Sequence, residues 1–326
     1  MSLDALILIG GLASLLLGGD LVVRGASAVA RQLGVSPLIV GLSIVAFGTS
    51  APELAVNVIA AVVGEENVSF GNVLGSNMAN VGLILALMVL VRPVAIEDPV
   101  VRRELPMMLL ATGAVIVMGL DEWLERGASG FDRYDALLLL LLFAVFVYYT
   151  LSDVLYGGRT DPYVREVEEM EPSRAGRSIW INLLLTIAGL AALVAGGRAA
   201  VAGGVGIARA WGVSEAIIGL TMIAVGTSLP ELVTSLVAVV RHQSDLAIGN
   251  IVGSNIFNLL FVLGVTSTVR TVPVPRGGYG DLIVNAALSL LVYLFAASGR
   301  RRIVRWQGLL LLALYLGYVS WRTLAG

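Results

Sequence analysis

Two parts of this chain repeat each other at a fixed distance of 178 residues, and few folds can satisfy that constraint. GLSIVAFGTSAPELAVN, from Gly41 to Asn57, aligns without a gap on GLTMIAVGTSLPELVTS, from Gly219 to Ser235. At the same offset GNVLGSNMANVGLIL, from Gly71 to Leu85, falls on GNIVGSNIFNLLFVL, from Gly249 to Leu263. The register extends back to Gly18 and Gly196, so it holds over about 68 residues. Chance likeness of two apolar stretches would not place glycine, proline, glutamate and asparagine at matching positions.

The surroundings of the repeat belong in a bilayer. Of 326 residues 57% are hydrophobic and 13% charged, with a mean hydropathy of +0.90 and 38 glycines, whereas a soluble domain carries about a quarter charged residues. Apolar stretches centre near residues 13, 50, 80, 112, 145, 188, 228, 257, 290 and 315, which predicts ten spans of ~20 residues in an all-α integral membrane protein. The first, from Leu3 to Val23, has no basic residue before it and no small-residue cleavage site, so it reads as helix one and not as a signal peptide.

The longest polar segment, residues 156–178, is expected to be a linker between a first five-helix repeat (1–155) and a second (179–326). Five is odd, so corresponding helices cross in opposite directions. This is an inverted-topology repeat, the plan of many secondary transporters, with sites near the membrane midplane. Placing the amino terminus outside leaves twice as many arginines in cytoplasmic segments as outside, so both termini are expected outside and the linker inside, in a multi-pass cell-membrane protein.

Composition also removes function classes. The absence of cysteine excludes disulfides and thiolate metal sites, and a single histidine, His242, excludes a multi-histidine site. A net charge of −2 offers no basic face for nucleic acid. No placed histidine or paired aspartates serve an intramembrane hydrolase, so no enzyme is expected, and no cofactor. Apart from lipid, no obligatory protein partner is evident.

The repeated motifs point to ion chemistry. In spans two and seven, Gly48-Thr49-Ser50-Ala51-Pro52-Glu53 and Gly226-Thr227-Ser228-Leu229-Pro230-Glu231 interrupt a helix, because proline removes an amide donor and clashes with the carbonyl one turn back. Carbonyls near Ala46, Thr49, Ala224 and Thr227 are thereby freed, which is tolerated at membrane depth only beside protein or a watery cavity. A central carboxylate costs roughly 2.5–3.5 kcal/mol on insertion scales, yet Glu53 and Glu231 repeat that cost. Spans three and eight add Ser76 and Asn80, Ser254 and Asn258, each pair four residues apart on one helical face. Asn77 and Asn255 point elsewhere and suit helix-to-helix hydrogen bonds. Gly75 and Gly253 would let these spans pack closely on the broken helices. Two carboxylates, six hydroxyls, four carboxamides and freed carbonyls form an oxygen set for hard cations. Ca²⁺, with 6–8 oxygens in flexible geometry, fits better than Mg²⁺, and two carboxylates balance one Ca²⁺ or two monovalent ions.

With these residues in view, the chain resembles the sodium/calcium exchangers of the calcium/cation antiporter superfamily, whose two repeats carry GTS-x-PE and GN-x-x-GSN-x-x-[ND]. The resemblance covers both motifs in each half and the ten-helix plan. It implies Na⁺/Ca²⁺ antiport by alternating access, expelling Ca²⁺ on the inward Na⁺ gradient, with helices one and six sliding over the other eight. It makes Glu53 and Glu231 the central Ca²⁺ ligands, shared with Na⁺. Thr49, Ser50, Thr227 and Ser228 would add hydroxyl or carbonyl oxygens, as would the carbonyls of Ala46 and Ala224. Ser76 and Ser254 become outer Na⁺ ligands, and Asn80 and Asn258 the polar lining of the central site. Several relatives have aspartate where this chain has Asn258, and the cytoplasmic regulatory domain of animal exchangers is absent. The alternative within transport is H⁺/Ca²⁺ antiport, since buried glutamates also take protons; the abundant hydroxyls favour Na⁺. A channel is less well served, because paired broken helices suit an occluding site.

Other residues read as ordinary surface chemistry: an Asp20–Arg24 pair one helical turn apart, and a solvated His242, Glu65, Glu66, Asp121, Glu122 and Glu125. The glycines around Gly18, Gly196 and Gly203 are compatible with sliding helices or with close packing.

Overall fold

The computed structural model describes residues 2–121, 130–156, 178–212, 224–298 and 301–325. Most of the expected linker (157–177), the first half of the seventh apolar stretch (213–223), and Glu122 and Glu125 lie outside the described residues. Helix dominates: α1 (Ser2–Leu33), α2 (Pro37–Val40), α3 (Ala46–Thr49), α4 (Ala51–Val63), α5 (Glu66–Ala79), α6 (Ala86–Val91), α7 (Leu105–Met118), α8 (Arg133–Tyr156), α9 (Ile179–Ala210), α10 (Ala224–Thr227), α11 (Leu229–Val240), α12 (Ser244–Ile256), α13 (Leu263–Val269), α14 (Gly278–Ala297) and α15 (Arg305–Ala325). Two antiparallel pairs of two-residue strands join loops, Val94–Ala95 with Arg302–Ile303 and Gly130–Phe131 with Val272–Pro273.

Among the described residues six helical stretches are long and apolar enough to cross a bilayer, or seven if the pair broken at Ser50 counts as one span. Their outer faces carry large apolar side chains with no protein cover, such as Leu3, Leu6, Leu17, Leu137, Leu141 and Leu184, an arrangement stable only in lipid. Exposed Trp180 and Trp211 flank α9, ~46 Å apart at 1.5 Å per residue, and exposed Trp306 and Trp321 lie toward the two ends of α15. Tryptophans at both ends of a span mark the two interfaces. The protein is an all-α, multi-pass membrane protein.

Among the described residues four stretches wind as π-helix: Gly41–Val45, Asn80–Leu85, Val100–Glu104 and Phe257–Val262. The second and fourth fall at matching repeat positions and hold Asn80 and Asn258. Such turns are rare and concentrate at functional sites.

The chain divides into two compact units, Met1–Thr49 with Tyr148–Asn250, and Ser50–Val147 with Ile251–Gly326. In the first unit α1 and α9 pack antiparallel along glycines spaced seven residues apart. An added Cβ would lie 2.4 Å from the Ala200 nitrogen at Gly11, 2.8 Å from the Gly189 oxygen at Gly18, and 2.8 Å from the Asn182 oxygen at Gly25. On the other helix Gly189, Gly196 and Gly203 meet backbone oxygens of Gly18, Gly11 and Asp4 at 2.6–2.8 Å. These glycines serve backbone-to-backbone packing. Gly41 and Gly249 do the same for the start of span two and α12, with Cβ positions 2.5 Å from the Leu246 oxygen and 2.4 Å from the Leu38 oxygen.

In the second unit α4, α5, α7, α13, α14 and α15 surround the π-helical turns. Phe143 packs on Phe257 and Phe261 with ring centroids 4.8 Å apart in each pair. At Gly75, where close packing was expected, an added Cβ meets nothing within 4 Å among the described residues. The tight spot is Gly82, whose Cβ would lie 2.5 Å from Tyr315 Cβ.

The Asp20–Arg24 pair forms at 2.8 Å, and Arg241 at the end of α11 also binds Asp20. Glu66 departs from the solvated reading, because it is partly buried and paired with Arg270. Glu65 and His242 are exposed.

Candidate ion-binding residues

The two broken spans have the same local form. Each helix stops for one residue, at Ser50 (φ −82°, ψ 1°) and at Ser228 (φ −89°, ψ 2°), and restarts with proline in its first turn. Proline tolerates this place because an N-terminal amide has no intrahelical acceptor. Glutamate then follows in the first turn, where the positive end of the helix dipole favours a carboxylate. Glu53 and Glu231 are each 1% exposed.

The first unit holds Ala46, Thr49, Ala224, Thr227, Ser228 and Glu231. Thr49, Thr227, Ser228 and Glu231 are buried, and α3 packs on α11, the helix of Glu231. Thr49 Oγ1 lies 3.3 Å from the Ala46 carbonyl oxygen and donates to Asn250 Oδ1 at 3.1 Å. Asn250 Nδ2 donates to Ser235 Oγ at 3.0 Å. Ser235 stands one turn beyond Glu231, and next to it Thr234 Oγ1 is buried with no hydrogen-bond partner among the described residues.

Ser50, Glu53, Ser76, Asn80, Ser254 and Asn258 belong to the second unit, and all are buried. The π-turn of Asn258 packs against both α4, which carries Glu53, and α5, which carries Ser76. Asn258 is fully buried, and neither end of its carboxamide has a partner among the described residues. A buried amide normally satisfies both ends. Asn80 donates Nδ2 to Asn255 Oδ1 at 3.0 Å, while its own Oδ1 has no partner among the described residues. Asn57 donates to the Glu53 carbonyl at 2.7 Å, and its Oδ1 too has no partner among the described residues.

Asn77 and Asn255 do what was expected of them. Asn77 Nδ2 donates to the Asn255 carbonyl at 3.1 Å, and Asn255 Nδ2 reaches Met108 Sδ at 3.6 Å. These bonds join helices.

Sequence reasoning passed over four buried residues. Asn250 stands in the repeated Gly-Asn pair, with Asn72 at the matching position, so the repeat itself signalled it. Asn57 and Ser235 match in position but not in type, and a search for identical residues misses them. Glu104 lies outside the motifs, buried and paired with Arg103, whose Nε donates at 2.7 Å. Among the described residues, no three carboxylates or histidines cluster as a metal cage.

Comparison with known proteins agrees with this chemistry. The profile of the sodium/calcium exchanger protein family matches residues 3–152 and 181–324. A putative antiporter, CaxA of Alkalimonas amylolytica, is 36% identical over 312 residues, covering 94% of this chain and 95% of that protein. The sodium/calcium exchanger MaX1 of Methanosarcina acetivorans is 29% identical over 344 residues, with 98% of each covered. Among solved structures, the sodium-calcium exchanger NCX_Mj soaked with 10 mM Na⁺ and zero Ca²⁺ superposes with a TM-score of 0.83 at 32% identity, over 98% of both chains. With its repeated Gly-Thr-Ser-x-Pro-Glu breaks and a family match across nearly its whole length, this chain belongs to the sodium/calcium exchanger family.

Proposed function

We propose that the protein exchanges Na⁺ for Ca²⁺ across the cell membrane by alternating access, using the inward Na⁺ gradient to expel Ca²⁺, and that it transports ions without acting as an enzyme. The observation that carries this reading is the duplicated break. The same motif, the same one-residue interruption and a buried glutamate three residues on occur twice in a chain of this family.

In this proposal Glu53 and Glu231 supply the carboxylates for Ca²⁺, which neutral oxygens alone would leave as an unbalanced buried charge. Thr49, Ser50, Thr227 and Ser228 give hydroxyl or carbonyl oxygens, and Ala46 and Ala224 give carbonyls. Ser76 and Ser254 serve Na⁺, and Asn80 and Asn258 line the polar interior. The unpartnered carboxamide of Asn258 supports that last assignment. Ten spans as two inverted five-helix repeats, 1–155 and 179–326 around a cytoplasmic linker, with both termini outside, complete the proposal.

The test is Ca²⁺ uptake by proteoliposomes loaded with Na⁺, compared with vesicles carrying only a pH gradient. Uptake that depends on internal Na⁺, and reverses when the Na⁺ gradient is reversed, is the expected result. Flux that follows the pH gradient and ignores Na⁺ would move the assignment to H⁺/Ca²⁺ antiport.

A further inference from the structure

We infer that Asn250 is a positioning residue, one that sets Na⁺ affinity by fixing the direction of the Thr49 hydroxyl. The inference rests on the Na⁺/Ca²⁺ reading above, in which Thr49 contributes an oxygen to a cation.

A hydroxyl has one hydrogen and two lone pairs. To serve a cation it must turn oxygen toward the ion and send its hydrogen to an acceptor elsewhere. Thr49 has such an acceptor in Asn250 Oδ1 at 3.1 Å, closer than the Ala46 carbonyl at 3.3 Å. The amide is held in turn, because Asn250 Nδ2 donates to Ser235 Oγ at 3.0 Å. Thr49, Asn250 and Ser235 are all 0% exposed, so water does not compete for these bonds. Three elements are thereby tied together: the end of α3 just before the break, α12, and α11 one turn beyond Glu231.

In the other copy of the motif a different residue type takes the place of Ser235. Asn57 stands at the position matching Ser235, and its Nδ2 donates to the Glu53 carbonyl at 2.7 Å. The Ser235 hydroxyl that holds the Asn250 amide is thus replaced in the other copy by a carboxamide that bonds its own helix. Ca²⁺ draws most of its binding from full carboxylate charges, whereas Na⁺ leans on neutral oxygens whose direction matters. Releasing the Thr49 hydroxyl should therefore weaken Na⁺ far more than Ca²⁺.

The experiment measures half-saturating Na⁺ and half-saturating Ca²⁺ in proteoliposomes for wild type, Asn250→Leu, Thr49→Val, the double variant and Ser235→Ala. In Asn250→Leu half-saturating Na⁺ should rise about five- to tenfold, as for loss of one buried hydrogen bond, with Ca²⁺ shifted less than about twofold. Thr49→Val should match it, and the double variant should add nothing further, since both changes act on one hydroxyl. Ser235→Ala loosens the amide without removing it, so a smaller shift in the same direction is expected even if Asn250→Leu does not fold. Equal shifts for both ions, no shift in Ser235→Ala, or additive losses in the double variant would overturn the inference. Wild-type protein without Na⁺-dependent Ca²⁺ flux would instead overturn the functional reading on which it stands.

Discussion

The side-chain amide of Asn77 donates to the backbone carbonyl of Asn255 at 3.1 Å, although the two residues occupy the same position in the two motif copies, 178 residues apart. Asn255 also accepts from Asn80 through Oδ1 and reaches Met108 through Nδ2. Through its backbone carbonyl and its side-chain amide together, Asn255 thus anchors Asn77, Asn80 and Met108. Asn255→Leu would leave the Asn80 amide with no acceptor in a dry place, so it should destabilise the fold by about 1–3 kcal/mol. Tryptophan-detected thermal unfolding in detergent checks this. Asn255→Asp keeps the acceptor oxygen and should lose less than Asn255→Leu; an equal loss would refute the account.

The carboxylates carry the second prediction. Glu53→Gln and Glu231→Gln are nearly isosteric, so each variant should fold and reach the membrane yet move no Ca²⁺, because each removes one of the two charges assigned to the divalent ion. Vesicle flux of ⁴⁵Ca²⁺ decides. Near wild-type exchange in both variants would show that the charges lie elsewhere.

Two adjacent glycines give a third. At Gly11 an added Cβ lies 2.4 Å from backbone of the neighbouring helix, while at Gly10 it meets nothing within 4 Å. Gly11→Ala should lower the melting temperature and the exchange rate by pushing α1 off α9. Gly10→Ala should be neutral, or stabilise by roughly 0.5–1 kcal/mol through helix propensity. Similar effects at both positions would deny the close packing its role.

How much of this could be read beforehand depended on duplication. The breaks at Ser50 and Ser228, the buried glutamates and the role of Asn77 and Asn255 were legible because identical residues recur in both copies. The π-turns at Asn80 and Asn258 were not, since one extra residue per turn leaves no signature in an apolar run. Gly75 misled for a related reason: small residues signal close approach in general, yet which glycine meets a neighbour depends on how the spans cross. The Glu66–Arg270 pair joins residues some two hundred apart with no motif to link them.

Asn258 supplies a fourth prediction. At this position the chain presents an amide, which adds no negative charge. On the proposed function one Ca²⁺ would neutralise the two glutamates, and an accompanying K⁺ would stand as a buried charge without a partner. Na⁺-driven Ca²⁺ flux should survive replacement of K⁺ by choline on both sides, and a collapse of flux would sink this reading. Asn258→Asp should make exchange sensitive to pH or to K⁺, because the new carboxylate takes up either a proton or another cation.

The π-turn of Phe257–Val262 bears on how this chain is compared with others. In length it amounts to a one-residue insertion in an α-helix, rotating everything after it by about 100° relative to an uninterrupted spiral. A helical wheel drawn straight through Ser244–Val269 therefore assigns Thr266 and Ser267, both fully buried, to the wrong side. A homologue that lacks the turn would align with a single-residue gap here, and the gap would mark a change of facing, with no change in the length of membrane crossed.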